Sequence, residues 1–405
     1  MQLWKHALQQ GMRDGAADGR ISRRGFFGLG TGAAATLALP QLAGRERRPA
    51  TATRGGGPYT DDPVRLEDVR ARWRELGVVG DERGTIVEVT PAKTTEALRR
   101  LGGREVKAYG LGEPMYPSIP AFENVPPRKF DLYVNMYGPL GDNRLVFLEE
   151  RFISFTFQIA SQVDELNHIG IDDVYYGNAR EADIVRMSEL QDPLERQARA
   201  RQDSEENNYG EGSILGGTRR LGVHNLGPVA TRGVLLDVLT VKQRSGDTDA
   251  LSEDGETLRG DYRITIDDLK AAMRRGRIHA IEPGDVVLIR TGWSKLWAEP
   301  SRWEEYLATE PGIWLAEARW LADHRPAMVA SDTWGVEVVP APRENSSFEA
   351  HQLLITQEGI RLGEAFVSEE LAADGVHEFV FAYSSQLAIG ATAGNSAPIA
   401  IGAPR

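Results

Sequence analysis

The 405-residue sequence predicts an α/β layered domain, and three stretches carry that prediction. Residues 231–238 run almost without a break through β-branched and leucine residues, the composition of a strand buried on both faces. Thr265 with Asp268 three residues on forms a capping pair that opens a helix ending near Gly276. Pro283-Gly284 then turns the chain into a strand at 285–290, which is followed by a helix over 312–324 and a strand at 328–331. Strands and helices alternating in this way build a sheet with helices packed on it.

The flanking regions follow from composition. With 41% hydrophobic residues the chain can bury one large core, so residues 61–405 are read as a single large domain. A formal net charge of -12 excludes the basic footprint that a nucleic-acid partner requires. No apolar run is long enough for an ordinary membrane span, so the mature form is expected not to cross one. There is no cysteine, which excludes disulfides, a thiolate nucleophile and a thiolate ligand. Near the N-terminus, Ser22-Arg23-Arg24-Gly25-Phe26-Phe27 precedes an uncharged stretch rich in Ala, Leu and Gly. That order resembles a twin-arginine export signal over residues 1–44, implying passage through that export machinery to a periplasmic or extracellular location. Residues 45–60 read as a flexible linker. Val64 to Leu76 has the spacing of a first surface helix, and 110–128 is dense in Pro and Gly. The charged stretch 179–220 reads as a helix and a mobile loop around Asp203 to Gly212, either a lid or a solvated excursion.

The residues with chemistry fall in two places. From Ile153 to His168 the apolar positions Ile153, Phe155, Phe157, Ile159 and Val163 alternate with polar or small ones, the period of a strand. Gln158, Gln162 and Asp164 then share one face, Ala160 leaves room between them, and His168 follows the strand end. Such a set fits a mixed oxygen and nitrogen metal site or a solvated edge. Near the C-terminus, 351–355 reads as a short strand, Gln357-Glu358-Gly359 as a turn and 360–364 as the returning strand. His351 and Glu364 then stand within one residue of being opposite, where facing Cβ atoms are about 5 Å apart. Trp334, Trp293 and Tyr176 are candidates for an apolar pocket wall or for plain core filling.

Several of these segments resemble the cyclase family, which includes kynurenine formamidase-like hydrolases. The likeness rests on Gln162-Val163-Asp164-Glu165-Leu166-Asn167-His168 with Ile169-Gly170, on Thr231 to Val238, and on Arg290-Thr291-Gly292-Trp293. It continues through Ser331-Asp332-Thr333-Trp334 and Val336 to Pro340. Members show His-x-Gly-Thr-His-x-Asp-x-Pro-x-His, or a variant with Gln for the second His and no Pro. This chain is similar to the variant, with Ala160-Ser161 for Gly-Thr. The resemblance implies a swivelling β/β/α fold, usually a homo-oligomer, that hydrolyses an amide, ester or lactone of a small-molecule substrate with a divalent metal. It also implies metal ligands Gln162, Asp164, His351 and Glu364, with Gln158 a further one and His168 the base or another ligand. His224, in a segment like the family's, joins the candidate pocket residues. Two carboxylates and one or two amide oxygens make a hard ligand set, so manganese is expected, with zinc the alternative. The rival expectation is an exported binding protein that keeps the fold and has lost catalysis.

Overall fold

The computed structural model describes residues 59–122, 128–154, 156–180, 184 and 217–405. The expected export signal, nearly all of the linker, Phe155 and the charged stretch 203–212 lie outside the described residues. Contacts divide the chain into Met1–Thr51 and Ala52–Arg405, and every described residue belongs to the second unit.

Thirteen strands appear among the described residues. They are β1 (Lys107–Gly110), β2 (Phe130–Leu140), β3 (Leu145–Ser154), β4 (Gln162–Asp164), β5 (Val174–Tyr175), β6 (Ala179–Arg180) and β7 (Val229–Asp237), then β8 (Val286–Arg290), β9 (Met328–Ser331), β10 (Arg361–Glu364), β11 (Glu378–Tyr383), β12 (Ala393–Asn395) and β13 (Ile399–Gly402). Nine of them form one mixed sheet in the order β1-β13-β11-β7-β8-β9-β10-β4-β12. The parallel centre runs from β7 to β10, and β7 holds the apolar run that the sequence pattern marks as buried on both faces. Alternation divides those side chains between two cores. Val234, Leu236, Val287, Ile289 and Val329 face the helical side, while Leu235, Leu288, Met328 and Ala330 pack with Phe379 and Phe381 on the other.

The helices follow their signals. α1 (Leu66–Leu76) buries Val69 and Trp73, and Thr90 caps α2 (Pro91–Arg100) through its side chain. Asp237 opens α3 (Val238–Ser245), and the capping box of Thr265 and Asp268 opens α4 (Ile266–Gly276). α5 (Trp303–Ala308) precedes α6 (Leu315–Asp323), which packs seven buried residues. Beyond β9 come α7 (Glu349–His351), continued by a π-helix over Gln352–Gln357, and α8 (Glu369–Ala373).

Two expectations need correction. Residues 153–168 are not one strand: β3 ends at Ser154 and β4 covers only Gln162–Asp164. Ala160 stands at φ 56°, outside any strand conformation. Ser161 Oγ accepts from Glu113 N at 2.7 Å and donates to Ala365 O at 2.6 Å, tying the irregular piece to its surroundings by a side chain. Residues 351–355 are helical, not extended. A short apolar run is equally at home in a buried helix, and Glu337 favours the helix by accepting from Ala350 N and His351 N, both at 3.2 Å. Gly359 does occupy the left-handed region, at φ 69°, and turns the chain into β10.

Candidate active site

β4 lies between β10 and β12, and its register places Leu362 opposite Asp164 and Glu364 opposite Gln162. Alternation sends Val163 into the core and leaves Gln162, Asp164 and Glu364 on one face. His351 reaches that face from α7. His351 Nε2 lies 3.2 Å from Glu364 Oε1 and 3.9 Å from Asp164 Oδ2, and one ligand atom from each of the three falls within 4.8 Å of the others. All three side chains are buried. The hairpin pairing expected of His351 and Glu364 is absent, yet the two residues meet because the π-helix and the Gly359 turn fold back over β10.

Glu337 fixes the histidine. Its Oε1 is 2.5 Å from His351 Nδ1, so that nitrogen carries a proton, and Nε2, which faces the carboxylates, is the atom a cation would take. Burial opposes a charge on His351, but the hydrogen bonds to Glu337 and Glu364 outweigh it and hold its pKa well above the ordinary value. Glu364 is pushed up to about 7 by burial and by the neighbouring charge of Asp164. Both oxygens of Asp164 are buried without a hydrogen-bond partner among the described residues. A carboxylate in that state costs several kcal/mol on the order of a buried unpaired ion. A divalent cation held by Asp164, His351 and Glu364 would remove both penalties, so the residues present fit such an ion.

The two glutamines are placed differently from the ligand role expected of them. Gln162 Nε2 donates to Glu364 Oε2 at 2.5 Å and to Gln158 Oε1 at 2.7 Å, and Gln158 Nε2 stands 3.2 Å from His168 Nδ1. They form an amide chain from Glu364 to His168, with amide nitrogens rather than oxygens turned to the carboxylate and the ring. His168 Nε2 lies 3.6 Å from Asp164 Oδ2. Burial lowers the pKa of His168, and His351 and Arg128 add to that against the pull of Asp164.

A cavity of about 550 Å³ opens beside these groups, lined by Gln158, His168, His351 and Glu364 and by Phe122, Leu307, Trp334 and Phe348. Phe122 and Trp334 meet edge to face at 4.9 Å between ring centroids, and the Arg128 guanidinium lies 5.4 Å from the Phe122 ring centre. Trp334 therefore takes its expected place in the wall. Tyr176, Trp293 and His224 do not. Tyr176 donates to Asp81 and packs on Gly359, Trp293 is buried with its Nε1 donating to Tyr306 O, and His224 Nδ1 accepts from Gly390 N. Their side chains fill the core or a loop, and none of them lines the cavity. Glu337, Arg128 and Phe348 escaped the sequence reading, which left Phe122 in the Pro- and Gly-rich loop as able to line a cleft or merely to pack. Glu337 alone carried a signal, a single charge inside the apolar string Val336 to Val339.

Residues 109–338 match the family model described as "Putative cyclase", more than half of the chain. Among solved structures, one described as a novel cyclase is 25% identical, covers 81% of this chain and 96% of its own, and superposes with a TM-score of 0.63. Isatin hydrolase A from Ralstonia solanacearum is 12% identical over 77% of this chain and 97% of its own, with a TM-score of 0.49. No curated protein sequence matches the chain. The family match takes in β4, the amide chain, His168 and Glu337, and stops short of His351 and Glu364, which the fold brings back to the same face. On the length of that match, with the motifs in their order, the chain belongs to the cyclase family.

Proposed function

We propose that this protein is a metal-dependent hydrolase that cleaves an amide, ester or lactone bond in a small, largely apolar substrate. The observation that carries the reading is Asp164, buried without a hydrogen-bond partner among the described residues and grouped with His351 and Glu364, which line the cavity. A bound divalent ion would polarise the substrate carbonyl and lower the pKa of a water toward neutrality. Manganese is the ion proposed, because two carboxylates outnumber one imidazole in the set, and zinc is the alternative.

The remaining work falls to side chains. Phe122, Trp334 and Phe348 exclude water around the scissile bond. His168 is the proposed proton carrier, neutral at pH 7 because its pKa is lowered. To accept a proton at Nε2 it must carry its other one on Nδ1, which requires the Gln158 amide to turn its oxygen toward the ring. That turn sets Gln158 Nε2 against Gln162 Nε2, so Gln162 must turn with it and give up its hydrogen bond to Glu364 Oε2. The protonated ring then returns its proton to the leaving nitrogen or oxygen. Arg128, which has no carboxylate partner among the described residues, faces the cavity and would hold the carboxylate that hydrolysis releases.

Elemental analysis of protein purified without added metal, followed by a screen of cyclic amides, lactones and N-formyl aromatic amines, tests the reading. The expected result is one divalent ion per chain and turnover of one class, with His168→Ala lowering kcat about 10²- to 10⁴-fold while the ion stays bound. Tight binding of a compound by the loaded protein with no turnover across the screen would instead support the binding-protein alternative. Release of the ion by His168→Ala would make that residue a ligand.

A further inference from the structure

A second, much smaller chamber of about 30 Å³ adjoins the amide chain, lined by Gln158, Gln162, Arg128 and Trp334 and, from α5, by Tyr306. The surroundings of Tyr306 hold it in place. Its carbonyl accepts from Trp293 Nε1 at 3.3 Å and from Trp334 Nε1 at 2.7 Å, and the Trp297 ring meets its ring edge to face at 5.9 Å. Tyr306 is 1% exposed, and burial holds its pKa well above the ordinary value, so the hydroxyl keeps its proton. A tyrosine so buried ordinarily pairs its hydroxyl. This one has no hydrogen-bond partner among the described residues. Gln162, buried as well, is in the same condition at its oxygen: both of its side-chain bonds are made by Nε2, and Oε1 accepts from no described residue. Neither oxygen is among the unpartnered atoms sealed from solvent, so each opens on space that a water can enter. The chamber has room, since one water needs roughly 10–15 Å³ of such space and two or more polar partners.

We infer that Tyr306 is a positioning residue for proton transfer at His168, acting through a water in this chamber that joins its hydroxyl to Gln162 Oε1. On the reading of His168 as the proton carrier, on which this rests, the amides of Gln158 and Gln162 must turn together. A turned Gln162 points Nε2 where Oε1 was, and so exchanges an acceptor for a donor on the side away from Gln158. Its neighbour there must serve both states. A water and a hydroxyl can each donate or accept, so the pair follows the turn by rotating O–H bonds alone. A purely apolar wall could not, because it would leave the Gln162 amide unpaired in either state. Tyr306 keeps its proton throughout. The His168 ring takes one proton at Nδ1 and gives up one at Nε2, both exchanged with water, so its charge is unchanged.

Nitrogen NMR of the histidine rings in the full chain reads the tautomer directly. Zinc loading avoids paramagnetic broadening, and the resonances lost in His168→Ala identify its ring. The wild type is expected to hold both tautomers of His168 in exchange. Tyr306→Phe removes one oxygen that no described residue bonds, so it is expected to keep the far-ultraviolet circular dichroism and the bound ion and to hold only the Nε2–H form. A wild type held in one tautomer overturns the inference, as does a Tyr306→Phe with the wild-type mixture. If that variant fails to fold, the wild-type spectrum still decides. On a substrate that the wild type turns over, Tyr306→Phe is expected to lower kcat about 10- to 100-fold at unchanged KM, the scale for the outer partner of a site residue. An unchanged kcat, or a change confined to KM, overturns it. The tautomer needs no turnover to be read, so a wild type that hydrolyses nothing counts against the hydrolase reading and leaves this test standing.

Discussion

Replacing Asp164 by Asn keeps the shape of the side chain and removes its charge, so it separates what the fold needs from what a cation needs. With no ion bound, the buried carboxylate has no hydrogen-bond partner among the described residues and raises the pKa of Glu364 beside it. Metal-free Asp164→Asn is therefore expected to be more stable than the metal-free wild type, by about 1–3 kcal/mol, the cost of an unsatisfied buried group. It should also lose the ion and all turnover. Denaturant unfolding after chelation, beside elemental analysis, reads both effects, and equal metal-free stabilities would contradict the account. Glu337 acts one step further out. Its hydrogen bond to His351 Nδ1 sets the tautomer, so Glu337→Gln is expected to weaken metal binding about 10- to 100-fold and to recover much of its kcat at saturating metal. A competition titration against a chelator measures the first, and rates across metal concentration the second. Sequence alone placed Asp164, His351 and Glu364 together only through a resemblance, because 187 residues separate Asp164 from His351. Glu337 was legible only as an odd charge in an apolar run.

At the scale of elements, legibility followed burial. Strands β7 to β9 could be read because a strand covered on both faces must be a continuous apolar run, and α4 because its capping box is written in Thr265 and Asp268. The strand expected at 351–355 failed for the opposite reason: five apolar residues suit a helix or a strand, and a glutamate fourteen positions before His351 tipped the balance. The ribbon of β2 and β3 went unread although Leu132, Val134 and Met136 alternate with Asp131, Tyr133 and Asn135, the period of a strand. What joins the helical arm of the site to β10 is Gly359. A Cβ there would meet Tyr176 Cε2 at 2.5 Å and Gly84 Cα at 2.9 Å, and φ is 69°. Gly359→Ala is expected to cost at least about 2 kcal/mol, combining left-handed strain with overpacking. Gly255 has the same φ, 69°, but a Cβ at that position would meet nothing within 4 Å, so Gly255→Ala should cost only the backbone share of about 1 kcal/mol. Thermal or denaturant unfolding of the pair isolates the contact from the conformation, and only the Gly359 variant should also bind metal more weakly.

The molecule as a whole pays for its charge balance by keeping some acids protonated. Formal charge is -12, yet several carboxyl groups sit inside the fold. Glu113 is pushed up to about 8, first by burial and then by the charges of Asp332 and Glu369, and its Oε1 has no partner among the described residues. Asp332 is pushed up to about 6 by burial, although Thr291 donates to it from both its amide and its hydroxyl. In the unfolded chain both titrate at ordinary carboxylate values. Between about 4.5 and 8 the folded form therefore binds more protons through Glu113 than the unfolded form does, and stability falls as pH rises through that window. This contribution is complete below the unfolded value and gone above the folded one, the reverse of what a carboxylate held in an ion pair contributes. Asp237 supplies the opposite slope: burial works against its charge, but Arg290 and Thr240 hold its pKa down, and that stability is lost only as pH falls through the lowered value. Glu113→Gln keeps the shape of the neutral acid and cannot lose a proton. It is expected to match the wild type near pH 5, to exceed it near pH 8 and to flatten the decline between them. Unfolding midpoints measured at half-unit steps of pH, on metal-free protein so that ion binding does not enter, would show a parallel decline in both proteins if Glu113 were already ionised in the fold.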